Sequence, residues 1–126
     1  MGDVIPIHSR RIFSIEEAEA ILPIVRRITD RAAADAGELQ EQLRFVPADE
    51  PLSKRLHMEL DAVVRRWSVK VAQLGCEPRG IWLVDFDAGE GWFSWRIGDD
   101  RLNFFHPHEA GLAEGPFMGR SEELPV

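Results

Sequence analysis

Apolar residues recur at alternating steps of three and four along the first third of the chain. This spacing places them on one helical face and predicts a single long helix over residues 15–44. Ser14 and Glu17 have the spacing of a capping box at its start, and Pro23 predicts a kink near residues 19–23. The seam consists of Ile15, Ala18, Leu22, Val25, Thr29, Ala32, Ala36, Leu39 and Leu43.

The helical period returns after a turn, "VPADEP" at residues 46–51. It continues from Leu52 to Leu74, and Gly75 supplies a stop signal. A loop this short between two helices predicts an antiparallel hairpin.

From Arg79 the apolar pattern changes to that of strands. Three segments rich in aromatic and branched residues, 80–86, 91–97 and 101–106, are separated by the turn sequences "DAGE" and "GDD". The pattern predicts an α+β fold, in which a long antiparallel helical hairpin is followed by a small three-stranded antiparallel β-meander. We expect a single domain over 1–126. It divides into a flexible leader (1–12), the hairpin (13–75), the meander (79–106) and a loop-rich tail (107–126).

Composition narrows the class of protein. The 126 residues suffice for one domain, and no apolar run approaches the roughly 18 residues of a membrane span. The single cysteine, Cys76, excludes an intramolecular disulfide, and no signal-peptide pattern is present, so a cytoplasmic location is expected. The formal net charge of −7 disfavours nucleic-acid binding but is compatible with binding a cation.

The first helix carries a second apolar line, Ile21, Ile24 and Ile28, beside its seam. Two long helices and a small sheet leave such a line uncovered within one chain. We therefore expect a homodimer that closes a four-helix bundle. The alternative is a monomer with a partly solvated hairpin.

The stretch "FFHPHEAGL", residues 104–112, is the candidate for chemistry. His106 lies at the end of the third predicted strand, and Glu109 follows three residues later, so one turn directs both at a common ion. Pro107 stiffens the segment between them. Asp85, inside the apolar "WLVDF", is a further candidate. It faces either solvent or a polar pocket, and an acid facing inward needs a partner. Imidazole and carboxylate suit Zn, Mn, Ni and Fe.

Each of these residues also has a simpler interpretation. His108 can be a solvated loop histidine, His106 can cap the edge of the core, and Glu109 can cap a short helix. His57 and Asp61, four apart on the second helix, are interpreted as a surface pair. No P-loop, dinucleotide-binding fingerprint, CxxC pair or HExxH motif is present.

Three segments resemble an uncharacterised bacterial family, domain of unknown function 2203. They are "FSIEEAEAILPIVRRI", "GIWLVDFDA" and "GWFSWRIGDDRLNFFHPHEAGLAEG", and the resemblance covers about residues 12–119. It implies a helical hairpin with a small sheet, and a dimer that binds divalent metal. The chain departs from the family pattern at Phe105, where tryptophan is usual, and in "GLAEG", which lacks the usual arginine. The residues that the resemblance marks are Glu17, Pro23, Asp85, Arg96, His106, Glu109 and Gly111.

The leading hypothesis is therefore a homodimeric protein that binds a divalent metal ion and has an unknown activity. His106 is the first candidate ligand, Glu109 and Asp85 come next, and Glu17 and His108 follow. Three ligands or fewer leave a position for water, which is the arrangement of a catalytic rather than a structural site. A metal-dependent hydrolase would use the ion to lower the pKa of that water, although no substrate pocket can be inferred from the sequence. The rival hypothesis is a helical-hairpin interaction module without metal.

Overall fold

The computed structural model of the protein describes residues 11–103 and 105–107. Its first helix, α1, spans Ile15–Leu43 and continues through Pro23 without interruption. The Ser14 side chain accepts from the Glu17 N–H, and the Glu17 side chain accepts from the Ser14 N–H. The predicted capping box is confirmed, and with it the residue at which the long helix begins.

The second helix, α2, spans Pro51–Gln73 and packs against α1. Gly75 follows with a φ of +92°, in the left-handed region that glycine adopts at helix ends without steric cost. The predicted hairpin is confirmed. Most of the predicted seam of α1 is buried, and it meets α2 residues of the same apolar period. The buried residues of α1 are Ala18, Leu22, Val25, Thr29, Ala32 and Ala36, and those of α2 are Ser53, Leu56, Val63, Trp67 and Val71.

One buried polar contact crosses the hairpin. Trp67 Nε1 donates a hydrogen bond of 2.8 Å to Thr29 Oγ1, and both residues are almost fully buried. A buried indole N–H needs such an acceptor, so the threonine in the apolar seam has a defined role.

Within residues 11–103 and 105–107, four strands follow the helices, where three were predicted. They are β1 (Glu77–Pro78), β2 (Leu83–Asp87), β3 (Gly91–Arg96) and β4 (Phe105–Pro107), joined in that order with every neighbouring pair antiparallel. The additional strand, β1, has only two residues and includes a proline. Neither the alternation nor the composition of a strand can therefore appear in its sequence. It exists because its backbone pairs with Val84 and Asp85 of β2.

The two faces of the sheet differ in character. Val84, Phe86 and Trp95 are buried on the face that joins the helical core, together with Phe13 and Cys76. Their neighbours along the strands point the other way. That second face carries the buried polar residues Asp85, Asp87 and Ser94.

Only part of the second apolar line of α1, which was expected to form a dimer interface, is exposed for contact with another chain. Ile21 and Ile28 are half-buried against the core of their own chain, whereas Ile24 is 40% exposed. Neither helix of the described residues is long and apolar enough to cross a membrane. The predicted leader and tail fall mostly on residues 1–10 and 108–126, which lie outside the described residues.

Candidate functional site

The buried polar face of the sheet brings together residues from three strands. Asp85 on β2 and Ser94 on β3 are directly opposed, so their side chains share a face. His106 on β4 is opposed to Trp92, which lies two residues before Ser94 on β3 and therefore on the same face. The antiparallel register thus places a carboxyl, a hydroxyl and an imidazole beside one another.

Ser94 is the centre of this group. Its hydroxyl donates a hydrogen bond of 2.7 Å to Asp85 Oδ1, and its oxygen lies 3.4 Å from His106 Nε2. A serine hydroxyl has one proton, so when Ser94 gives it to Asp85, a hydrogen bond between Ser94 and His106 needs the proton on Nε2. Ser94 therefore links Asp85 to His106.

Arg79, directly after β1, completes the surroundings of Asp85. Its Nε donates a hydrogen bond of 3.0 Å to Asp85 Oδ2, and its guanidinium carbon lies 4.7 Å from the centroid of the Trp92 ring. The Arg79 side chain is 45% exposed, whereas that of Asp85 is 9% exposed. The ion pair therefore joins a buried carboxylate to a half-exposed guanidinium.

Burial raises the pKa of the Asp85 carboxyl above its ordinary value of 3.8. Hydrogen bonds and charges from Ser94, Arg79 and His106 act in the opposite direction, but desolvation outweighs them. Asp85 consequently holds a proton more readily in the folded chain than in the unfolded one.

The predicted site residues separate into three groups. Asp85 and His106 meet at Ser94, as described. Glu17 is exposed at the start of α1, where its Oε1 accepts the Ser14 N–H at 2.9 Å. His108 and Glu109 lie outside the described residues, so their prediction as ligands stays a prediction.

Neither Ser94 nor Arg79 was among the predicted site residues. A serine in an aromatic strand and an arginine in a loop carry no signal of their own. Pairing Asp85 with Ser94 requires the strand register, which could have been sought from the turn length between β2 and β3.

Residues 11–120 match the family described as Uncharacterized conserved protein (DUF2203). The chain belongs to this family. No curated protein and no solved structure matches it. Because the description of the DUF2203 family names no activity, the chemistry of this DUF2203 protein has to be argued from its own residues.

The described residues of this DUF2203 protein fit a metal ion only in part. His106 and Asp85 supply an imidazole and a carboxylate, which are suitable ligands for Zn, Mn, Ni or Fe. Within residues 11–103 and 105–107, no three His, Cys, Asp or Glu side chains form a group able to hold an ion. Within these residues, Asp85 and His106 are therefore two candidate ligands without a third beside them.

Two other reactive side chains of this DUF2203 protein lie away from the sheet face. Burial raises the pKa of the Cys76 thiol to about 12, which leaves almost no thiolate at neutral pH. His57 is exposed on α2, and its Nδ1 lies 2.9 Å from the Ser53 carbonyl oxygen. Neither has the surroundings of a nucleophile or a general base.

Proposed function

We propose that this protein binds a divalent transition-metal ion (Zn, Mn, Ni or Fe) at the polar face of its sheet. His106 is the first ligand, and Asp85 and Glu109 are the next. His108 and Glu17 are lesser candidates. The observation that carries the proposal is the meeting of the Asp85 carboxyl and the His106 imidazole at the hydroxyl of Ser94.

The sheet holds two of the proposed ligands, Asp85 and His106, in fixed positions. Asp85 and His106 project from strands whose register fixes their separation, and such preorganisation favours coordination. Arg79 opposes it, because a cation near Asp85 repels an ion. We therefore assign the stronger role to His106, with Glu109 three residues along the chain. A bound ion would lower the pKa of a coordinated water, which is the chemistry of a hydrolase.

Calorimetric titration of metal-free protein with Zn, Mn and Ni tests the proposal. His106→Ala should weaken binding most, Glu109→Ala and Asp85→Asn less, and His108→Ala least. His57→Ala on α2 is the matched control and should bind as the wild type does. Protons compete for imidazole, so affinity should fall below about pH 6. Binding no tighter than the millimolar range would refute the proposal.

We also propose that the protein is a cytoplasmic homodimer. The dimer rests on Ile24, which is 40% exposed on α1, and on the exposed apolar residues of α2. Sedimentation equilibrium should give a mass near twice 14.3 kDa. Ile24→Lys should lower that mass, whereas a wild-type chain that sediments as one subunit would exclude the dimer.

The second candidate function is an interaction module without metal. Phe45, Met58 and Val69 are 75%, 64% and 50% exposed, and a partner that binds the hairpin would bury these side chains. Elemental analysis of untagged protein distinguishes the two functions. Substoichiometric metal together with unaltered behaviour of His106→Ala would favour the module.

A further inference from the structure

The guanidinium of Arg79 is held in place more firmly than its exposure suggests. Its Nε is fixed by the buried carboxylate of Asp85 at 3.0 Å, and its plane lies near the ring of Trp92, with 4.7 Å between the guanidinium carbon and the ring centroid. The carboxylate and the ring are themselves buried in the sheet. The position of the cation is therefore set by the sheet and not by solvent.

Two arginines in local ion pairs differ from Arg79 in this respect. Arg31 pairs with Asp35 and Arg44 with Glu41, four and three residues away along the chain, and the two arginine side chains are 82% and 70% exposed. Exposed pairs of this kind contribute little to stability. Arg79 instead reaches across six positions of the chain to an acid on a strand.

The contacts of Arg79 with Asp85 and Trp92 leave the terminal N–H groups of its guanidinium available to a ligand. A guanidinium has five N–H groups in a planar fork, and only Nε is engaged by an acceptor among residues 11–103 and 105–107. The terminal nitrogens carry the other four N–H groups, on a side chain that is 45% exposed. A planar, fixed fork of this kind matches the two oxygens of a carboxylate or a phosphate.

We propose that Arg79 recognises an anionic group, a carboxylate or a phosphate, through its terminal nitrogens. The inference rests on the proposed function, because it assigns the class of ligand to the same face of the sheet. Asp85 and Trp92 act as positioning residues for the guanidinium. In a protein with a net charge of −7, a fixed cation beside the site distinguishes anionic ligands from neutral ones.

The test uses metal-free protein, so that the anion does not bind through an ion. Phosphate and malonate are titrated separately at constant ionic strength, while the arginine Nε–H signals are followed by ¹H–¹⁵N NMR. The wild type should show saturable movement of the Arg79 signal in the millimolar range. Arg79→Ala and Arg79→Lys should each bind at least about tenfold more weakly by calorimetry. Arg31→Ala is the matched control and should bind as the wild type does.

The lysine variant keeps the charge and loses the fork, so it tests the proposal even if the alanine variant does not fold. Equal binding by Arg79→Lys and wild type, or no saturable shift with either anion, overturns the inference. The two anions then identify the preferred group. Anion binding without metal binding refutes only the proposal that the protein binds a divalent metal ion. Metal binding without a response to either anion refutes only the proposed role of Arg79.

Discussion

Asp85 illustrates how a buried carboxyl is retained at one position of a sheet. It is 6% exposed, and two side chains from other segments, Arg79 and Ser94, contact its two oxygens. Those partners offset part of the cost of desolvation, but the raised pKa of Asp85 shows that part remains. The charged form of Asp85 is therefore less favourable in the folded chain than in the unfolded one.

The pH dependence of stability should reveal this cost. Because the folded-state pKa of Asp85 lies above its ordinary value of 3.8, the folded chain binds more protons there than the unfolded chain. The contribution of Asp85 to the free energy of unfolding should therefore fall as pH rises from 3.8 through the higher pKa of the folded state. Urea unfolding of metal-free wild type and Asp85→Asn should show the wild type losing stability relative to the variant as pH rises from about 3.5 to 7.

Asp61→Asn, on the exposed face of α2, is the control for the loss of one acid. The wild type should show no such relative loss against it. Parallel stability curves for wild type and Asp85→Asn would contradict the direction assigned to the pKa of Asp85.

The hydrogen bond between Thr29 and Trp67 makes a second prediction at the scale of single residues. Thr29→Val keeps the shape of the side chain but leaves the buried indole N–H without its acceptor. The variant should lose about 1–3 kcal/mol of unfolding free energy, measured in urea. Thr29→Ser retains the hydroxyl and should lose less. A valine variant as stable as the wild type would show that the indole finds another acceptor.

At the scale of elements, the helix ends are set by local chemistry and the sheet by pairing. The capping box fixes the start of α1, and Gly75 follows the end of α2 in a conformation that other residues rarely adopt. The strand β1, by contrast, has no local signal, and only its pairing with β2 makes it a strand.

Two glycines, one after the end of α2 and one inside α1, should respond oppositely to substitution by alanine. At Gly75 the added Cβ would lie 2.7 Å from the Arg11 Cβ, and φ is +92°. Gly75→Ala should therefore destabilise the protein by about 1–2 kcal/mol or more. Gly37, within α1, has nothing within 4 Å of such a Cβ. Gly37→Ala should stabilise the helix by about 0.5–1 kcal/mol.

Both variants are compared with the wild type by thermal and urea unfolding. They change the same atoms, so the difference in sign isolates backbone conformation and local space. A stabilising alanine at Gly75 would mean that the Arg11 side chain and backbone move aside and that the left-handed conformation is not required.

At the scale of the whole molecule, one core joins the hairpin to the sheet. Phe13 before α1, Trp67 on α2 and Trp95 on β3 belong to the same buried cluster, and Cys76 lies where the helices give way to the sheet. Residues from both helices and from β2 and β3 meet there, so we expect the fold to open as a unit.

The thiol of Cys76 reports that opening. It is 4% exposed, and its pKa is raised to about 12, so native protein should react with iodoacetamide at least about 100-fold more slowly than denatured protein near pH 8. Mass spectrometry measures the labelled fraction with time. Urea below the unfolding midpoint should accelerate labelling in proportion to the unfolded population. Rapid labelling without denaturant would show that the junction of hairpin and sheet opens locally.

The sequence by itself determined the elements whose signals are local. The three- and four-residue period of α1, its capping box, Gly75 and the aromatic segments of the sheet each depend on neighbours in the chain. The helical hairpin and the α+β class therefore agree with the structure. His106 and Asp85 were recognised as candidates from residue type and from an acid in an apolar segment.

Only the tertiary structure decided which side chains meet. β1 exists through pairing, Ser94 joins the site through its register with Asp85, and Arg79 reaches Asp85 from the loop after β1. Whether Asp85 faced solvent or the interior was likewise open until the sheet was formed. These are contacts between segments, and their free energy depends on distance in space, which hydrophobic periodicity along a chain does not encode.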